Sequence, residues 1–257
     1  MKNIKIAMLQ SWQYYLRIFV RSNFRIRREL NKPLVIVLTL ILCLTISVSE
    51  IWAQESQIIV ASKDNTLIES STGELSNGMG SSFFVGRTNQ NSDSIRRGLI
   101  AFDIDNQIPA GSTITEVKLT LNLERTPSDN ESVELHRVLS DWGEGSSSSR
   151  GGRGAVATQG DATWINTFYD QDSWSESGGD FASELSAVQK VGDVGTYTWG
   201  STPEMVQDVQ QWLDSPETNF GWLLLGNEAT SGTVKVFASR HNTDSSIQPQ
   251  LSVGFQP

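Results

Sequence analysis

From Val117 to Glu124 apolar and polar residues alternate strictly, with Val117, Leu119, Leu121 and Leu123 set against Lys118, Thr120, Asn122 and Glu124. A period of two turns one side of a strand toward a core and leaves the other in water. The run Leu99-Ile100-Ala101-Phe102 is apolar at every position before Asp103, which predicts a central strand covered on both faces. Similar short runs predict strands at 57–61, 82–85, 133–138, 196–199, 222–225, 234–238 and 251–255. Clusters of Gly, Asn, Asp, Ser and Pro, such as Asn77-Gly78-Met79-Gly80 and Ile108-Pro109-Ala110-Gly111, separate these runs as turns. Many short strands so punctuated predict an all-β sandwich rather than βαβ units.

One segment has helical period. Thr202-Pro203-Glu204 supplies an N-cap, a proline at the first helical position and an early acid. Val206, Val209, Trp212 and Leu213 then share a face, so a short helix ending near Ser215-Pro216 is expected to cap the core. The stretch 143–161, GEGSSSSRGGRGAVATQGD, has almost no large apolar group and predicts a flexible loop. An irregular segment dense in aromatics follows, from Thr163 to Phe181.

The N-terminal 53 residues read differently. Leu34–Val48 is an uncharged apolar run of 15 residues, preceded by Lys2, Lys5, Arg17, Arg21, Arg25, Arg27, Arg28 and Lys32 against Glu29 alone. Such a run is short for a membrane span and fits the apolar core of a secretory signal, with Ile51-Trp52-Ala53 as its small-residue cleavage site. Residues 1–53 are therefore read as a signal segment, and 54–257 as one secreted or cell-surface domain that meets a membrane only in transit. The segment holds eight of the 20 Lys+Arg and two of the 29 Asp+Glu, which leaves 12 basic and 27 acidic side chains and a formal charge of −15 beyond it. That balance argues against a nucleic-acid partner, which needs clustered cations. The single cysteine, Cys43, lies in the apolar run, so disulfides, zinc thiolates and a thiol nucleophile are absent from 54–257.

The order of motifs resembles the DNRLRE domain, also described as carbohydrate-binding module family 96. Asp64-Asn65-Thr66-Leu67-Ile68-Glu69 matches the naming motif at Asp, Asn, Leu and Glu. NGMGSSFFVGR (77–87), RRGLIAFDI (96–104), VELHRVLSDWGEG (133–145), GDATW (160–164), GGDF (178–181), GWLLLG (221–226) and VFASRHN (236–242) follow in order over about residues 57–256. His241 departs from the Glu expected in the last of these. The resemblance implies a secreted, single jelly-roll-type β-sandwich with affinity for polysaccharide, alginate among the family's ligands.

Flat aromatics stack on sugar rings while neighbouring polar groups take the hydroxyls. Trp199, Trp212 and Trp222 fall on inward-facing positions, and Trp142 sits at a strand end inside a motif. Trp164, Tyr169 and Trp174 occur in the irregular segment among Asp161 and Asp170, which makes these five the expected glycan contact; Trp164 suits a buried role equally. The partner is then a polysaccharide, neutral or uronate-containing. Arg87, Arg96, Arg97, Arg137 and Arg240 could bind uronate carboxylates, although pairing with the many acids suits the overall charge better. No catalytic motif stands out, and the chain is read as a non-enzyme. No motif requires a cofactor; calcium is the ion such oxygen-rich loops suit, through Asp170, Asp172 and Glu176 or through Asp64, Asn65 and Glu69, and no metal ligand is assigned. Two functions are carried forward: a secreted carbohydrate-binding module, and a structural or adhesive extracellular surface protein.

Overall fold

The computed structural model describes residues 54–257; the signal segment expected over 1–53 lies outside the described residues. The chain forms β1 (Glu55–Ile68), β2 (Leu75–Ser76), β3 (Ser82–Arg87), β4 (Ile95–Phe102), β5 (Thr113–Arg125), β6 (Glu131–Val138) and β7 (Ala155–Val156). It continues through β8 (Asn166–Phe168), β9 (Asp172–Ser173), β10 (Phe181–Val191), β11 (Gly195–Gly200), the helix α1 (Pro203–Asp214), β12 (Trp222–Leu225), β13 (Lys235–Ala238) and β14 (Gln250–Gln256). The fold is all-β with one short helix, as the alternation predicts.

Pairing runs β1–β14–β5–β13–β3–β4 and returns to β1, so the sheet closes on itself. β11 extends from β5, and β12, β6 and β10 extend from β4. β1 closes the ring by serving two partners: residues 55–60 pair with β14, and 61–68 pair with β4 after a register shift at Ala61/Lys63. Closure of this kind leaves few open edges to template aggregation.

β4 shows how the sequence dictates two cores. Ile100 and Phe102 point into the main core with Val117, Leu119, Leu121, Trp199, Trp222 and Phe237. Leu99 and Ala101 point the other way, into a second core with Leu67, Val138, Trp142, Ala162, Trp174 and Leu223. The helix seals the main core: Met205, Val209 and Trp212 are fully buried, and the rings of Trp212 and Trp222 meet edge to face at 4.6 Å. The Thr202 hydroxyl accepts from Met205 N–H at 3.1 Å and donates to Ser186 O at 2.6 Å, which caps the helix and pins it to β10.

Two expectations change. The Gly/Ser-rich stretch 143–161 is held by polar contacts rather than left free: Asp161, fully buried, accepts from Ser147 N, Thr158 N and the Thr158 hydroxyl, and Asn77 Oδ1 accepts from Ser149 N at 2.6 Å. Hydrogen bonds order it where apolar burial could not. The aromatic segment after it packs over the outer face of β1, β4, β12 and β6, because a central strand apolar on both faces needs a second cover.

Candidate functional site

The five residues expected to hold a glycan share this cover but do not form one exposed platform. Trp174 is 6% exposed, and its indole N–H donates to Thr163 O at 2.9 Å, so it is a core residue rather than a surface ring. Asp161 is likewise committed to the loop contacts above. Tyr169 is half-buried and pairs through its backbone with Asp161 O and Gly160 N. Asp170 is exposed, at a left-handed φ of 62°. Trp164 is half-buried beneath the Arg97 guanidinium, 4.9 Å from its ring, and the same guanidinium lies 5.5 Å from the Phe181 ring. Gly178, at φ 95°, brings backbone against this pair, and a Cβ there would stand 2.9 Å from the Trp164 ring.

The remaining four tryptophans are buried: Trp142 donates to Phe220 O, Trp199 to Val133 O and Trp222 to Asp208, while the Trp212 indole N–H meets no partner among the described residues. The arginines are also engaged. Arg97 grips Glu228 through two nitrogens at 2.8 and 3.0 Å, Arg240 pairs with Glu144 at 2.7 Å and Arg137 with Asp208 at 3.3 Å. Arg87 donates to the Ser94 hydroxyl and Glu228 O, and Arg96, 1% exposed, donates to Asp93 O, Ile95 O and Gly152 O.

A cleft of about 550 Å³, open solvent included, opens where β6, β10 and α1 meet. Two register shifts in the β10–β6 pairing, at Phe181/Leu185 and Leu185/Ala187, let β10 bow away and turn Glu184 and Leu185 outward. Across from them the helix presents Glu204, Gln207, Asp208 and Gln211, spaced three and four apart and therefore on one face. Arg137 from β6 closes one wall. Asp208, 8% exposed, anchors the arrangement by accepting from the Ser186 hydroxyl at 2.6 Å and the Trp222 indole at 2.9 Å. Burial raises its pKa, and the Ser186 and Trp222 hydrogen bonds with the Arg137 charge pull it back. Carboxylates and side-chain amides together offer both acceptors and donors, which is the chemistry that reads hydroxyl groups.

Sequence patterning did not indicate this cleft. The bulges break the period of two along β10, so Phe181–Val191 does not read as a strand from the sequence. The one available signal is the polar stripe 204–207–208–211 opposite the apolar face of the helix.

A second polar cluster lies at β1. Asp64 N–H donates to Glu144 Oε1 at 2.9 Å, Asp64 Oδ2 accepts from Arg240 N–H at 2.6 Å, and His241 Nε2 stands 3.3 Å from Glu144 Oε1. Asp64 is 1% exposed, and its Oδ1 meets no partner among the described residues. Burial first, and then the Glu144 charge, push its pKa up to about 8 against the lowering effect of the Arg240 N–H. Asp64, Asn65 and Glu69 do not converge on one point: Asn65 is taken up by backbone groups and the Ser76 hydroxyl, and Glu69 accepts from Ile95 N–H. Among the described residues no group of three His, Cys, Asp or Glu side chains is placed to hold a metal. No protein-family model matches the chain, and no curated protein sequence matches it.

Proposed function

We propose that the chain is a secreted, non-catalytic carbohydrate-binding module that contacts extracellular or cell-surface polysaccharide. The observation that carries this reading is the cleft between β10 and α1, where Glu184, Glu204, Gln207 and Gln211 surround the fixed Asp208–Arg137 pair. Mixed donors and acceptors on a rigid floor suit sugar hydroxyls, which exchange water for protein at little net gain each and so need several partners at once. The ordered resemblance to the DNRLRE domain supports the same class, and the apolar run with its basic lead supports export.

A second reading, a structural or adhesive surface protein, draws on a specific observation. Five of the six tryptophans in the described residues are buried, and the outer face of β5 and β11 carries polar side chains, with Thr120 and Thr198 hydroxyls 3.3 Å apart and Thr196 donating to Asn122 at 2.6 Å. A glycan array probed with the purified chain separates the two readings. Retention of defined glycans, weakened by Gln207→Ala with Gln211→Ala at unchanged melting, supports the module; an empty array supports the structural protein. N-terminal sequencing of exported material should begin at Gln54.

A further inference from the structure

The cleft carries a statement about the kind of sugar it takes, and this rests on reading it as a glycan site. Recognition of a uronate or sulfated polymer requires cations free to meet its anionic groups. Arg137 is the one cation among the described residues that line the cleft, and Asp208 already holds it at 3.3 Å. Glu184 and Glu204 face the opening, both exposed, with no lysine beside them in the lining. A carboxylated sugar entering here would approach two unpaired carboxylates on a domain of formal charge −15. The other four arginines with a claim on anionic sugars are bound elsewhere: Arg97 to Glu228, Arg240 to Glu144, and Arg87 and Arg96 to backbone carbonyls.

Carboxylates without cations still have a use. An ionised carboxylate only accepts, and with two oxygens it can accept from two neighbouring hydroxyls of one ring. A side-chain amide both donates and accepts, so Gln207 and Gln211, one helical turn apart, can satisfy hydroxyls that the carboxylates leave over. Leu185, 39% exposed, and Ala182 add a small apolar surface for the C–H face of a ring.

We infer that the cleft selects an uncharged polyhydroxyl glycan, read by Glu184 and Glu204 as hydroxyl acceptors and by Gln207 and Gln211 as paired donors and acceptors, and that it rejects uronate polymers. Binding of this kind depends little on ionic strength, since no ion pair forms between protein and ligand.

The test is titration calorimetry of the full chain with neutral gluco-, xylo- and manno-oligosaccharides and, separately, with alginate oligosaccharides, at low and high salt and with or without added calcium. The expected result is a neutral oligosaccharide bound with affinity changed less than about twofold by salt. Gln207→Ala with Gln211→Ala should weaken it by about tenfold or more at unchanged melting temperature, with alginate unbound throughout. Alginate binding that weakens with salt, or that appears only with calcium, overturns the inference and leaves the glycan reading standing. Neutral binding untouched by the two Gln substitutions overturns the assignment to this cleft. Failure of every glycan, neutral and anionic, overturns the glycan reading itself.

Discussion

The Trp222 indole N–H donates to the Asp208 carboxylate at 2.9 Å, so a ring at the centre of the main core ends on the floor of the surface cleft. The same carboxylate accepts from the Ser186 hydroxyl of β10 and faces Arg137 of β6. Helix, edge strand and core are joined through one side chain.

Asp208→Ala should therefore destabilise the domain strongly. It orphans a buried indole N–H and a buried hydroxyl, each costing about 1–3 kcal/mol, and frees Arg137. A loss of about 3 kcal/mol is expected in urea unfolding, with a smaller loss for Asp208→Asn, which retains one acceptor. An alanine variant as stable as the parent would contradict the assigned role.

Asp64 sets a pH dependence of unusual sign. Its carboxyl, ordinarily at 3.8, is raised to about 8 in the fold, so the folded chain keeps a proton that the unfolded chain has released. The stability this group contributes is complete below pH 3.8 and is lost as pH rises toward 8. Asp64→Asn should flatten the fall in melting temperature over that window, and its advantage over the parent should grow with pH. Parallel melting curves for the two proteins across the window would dismiss the effect.

Asn65 ties β1 to the cover. Its Oδ1 accepts from Thr66 N, the Ser76 hydroxyl and Asn77 N, and its Nδ2 donates to Glu144 O at 3.1 Å and Ala162 O at 3.4 Å. Asn65→Asp preserves size but turns an oxygen toward those carbonyls. We expect it to cost at least as much as Asn65→Ala, about 3 kcal/mol or more, because a buried charge adds to the lost hydrogen bonds. Hydrogen exchange should show residues 143–162 opening first; uniform protection in both variants would count against the link.

Trp174 and Tyr169 should separate cleanly. Trp174→Ala empties a core position and should cost about 3–5 kcal/mol. Tyr169→Ala, at a half-buried site, should stay within about 1 kcal/mol. Equal effects in denaturant titrations would mean that the cover packs otherwise than described.

Residues with strict alternation were legible in advance. The predicted runs at 222–225 and 117–124 coincide with or lie inside observed strands, and the Thr202-Pro203 cap lies where the helix begins. β4 was legible as doubly covered, but not what covered it: 163–181 has no period, and its packing is set by long-range contact with Leu99, Ala101 and Leu223. For that reason Trp174 looked available for a ligand when it is interior. Asp208 is legible only as one member of the helix's polar stripe, and its role as an anchor is not, since its neighbours Ser186 and Trp222 are brought to it only by the tertiary fold.

The pairing of Glu55 with Phe255 joins the first strand of the domain to the last. Such contacts form only once the whole chain is present, and a topology dominated by them folds slowly. A polypeptide emerging N-terminus first would pair residues 61–68 with β4 early but leave residues 55–60 without a partner until β14 arrives, and Ile58 and Val60, already exposed in the finished fold, would flank an open hydrogen-bonding edge for that interval.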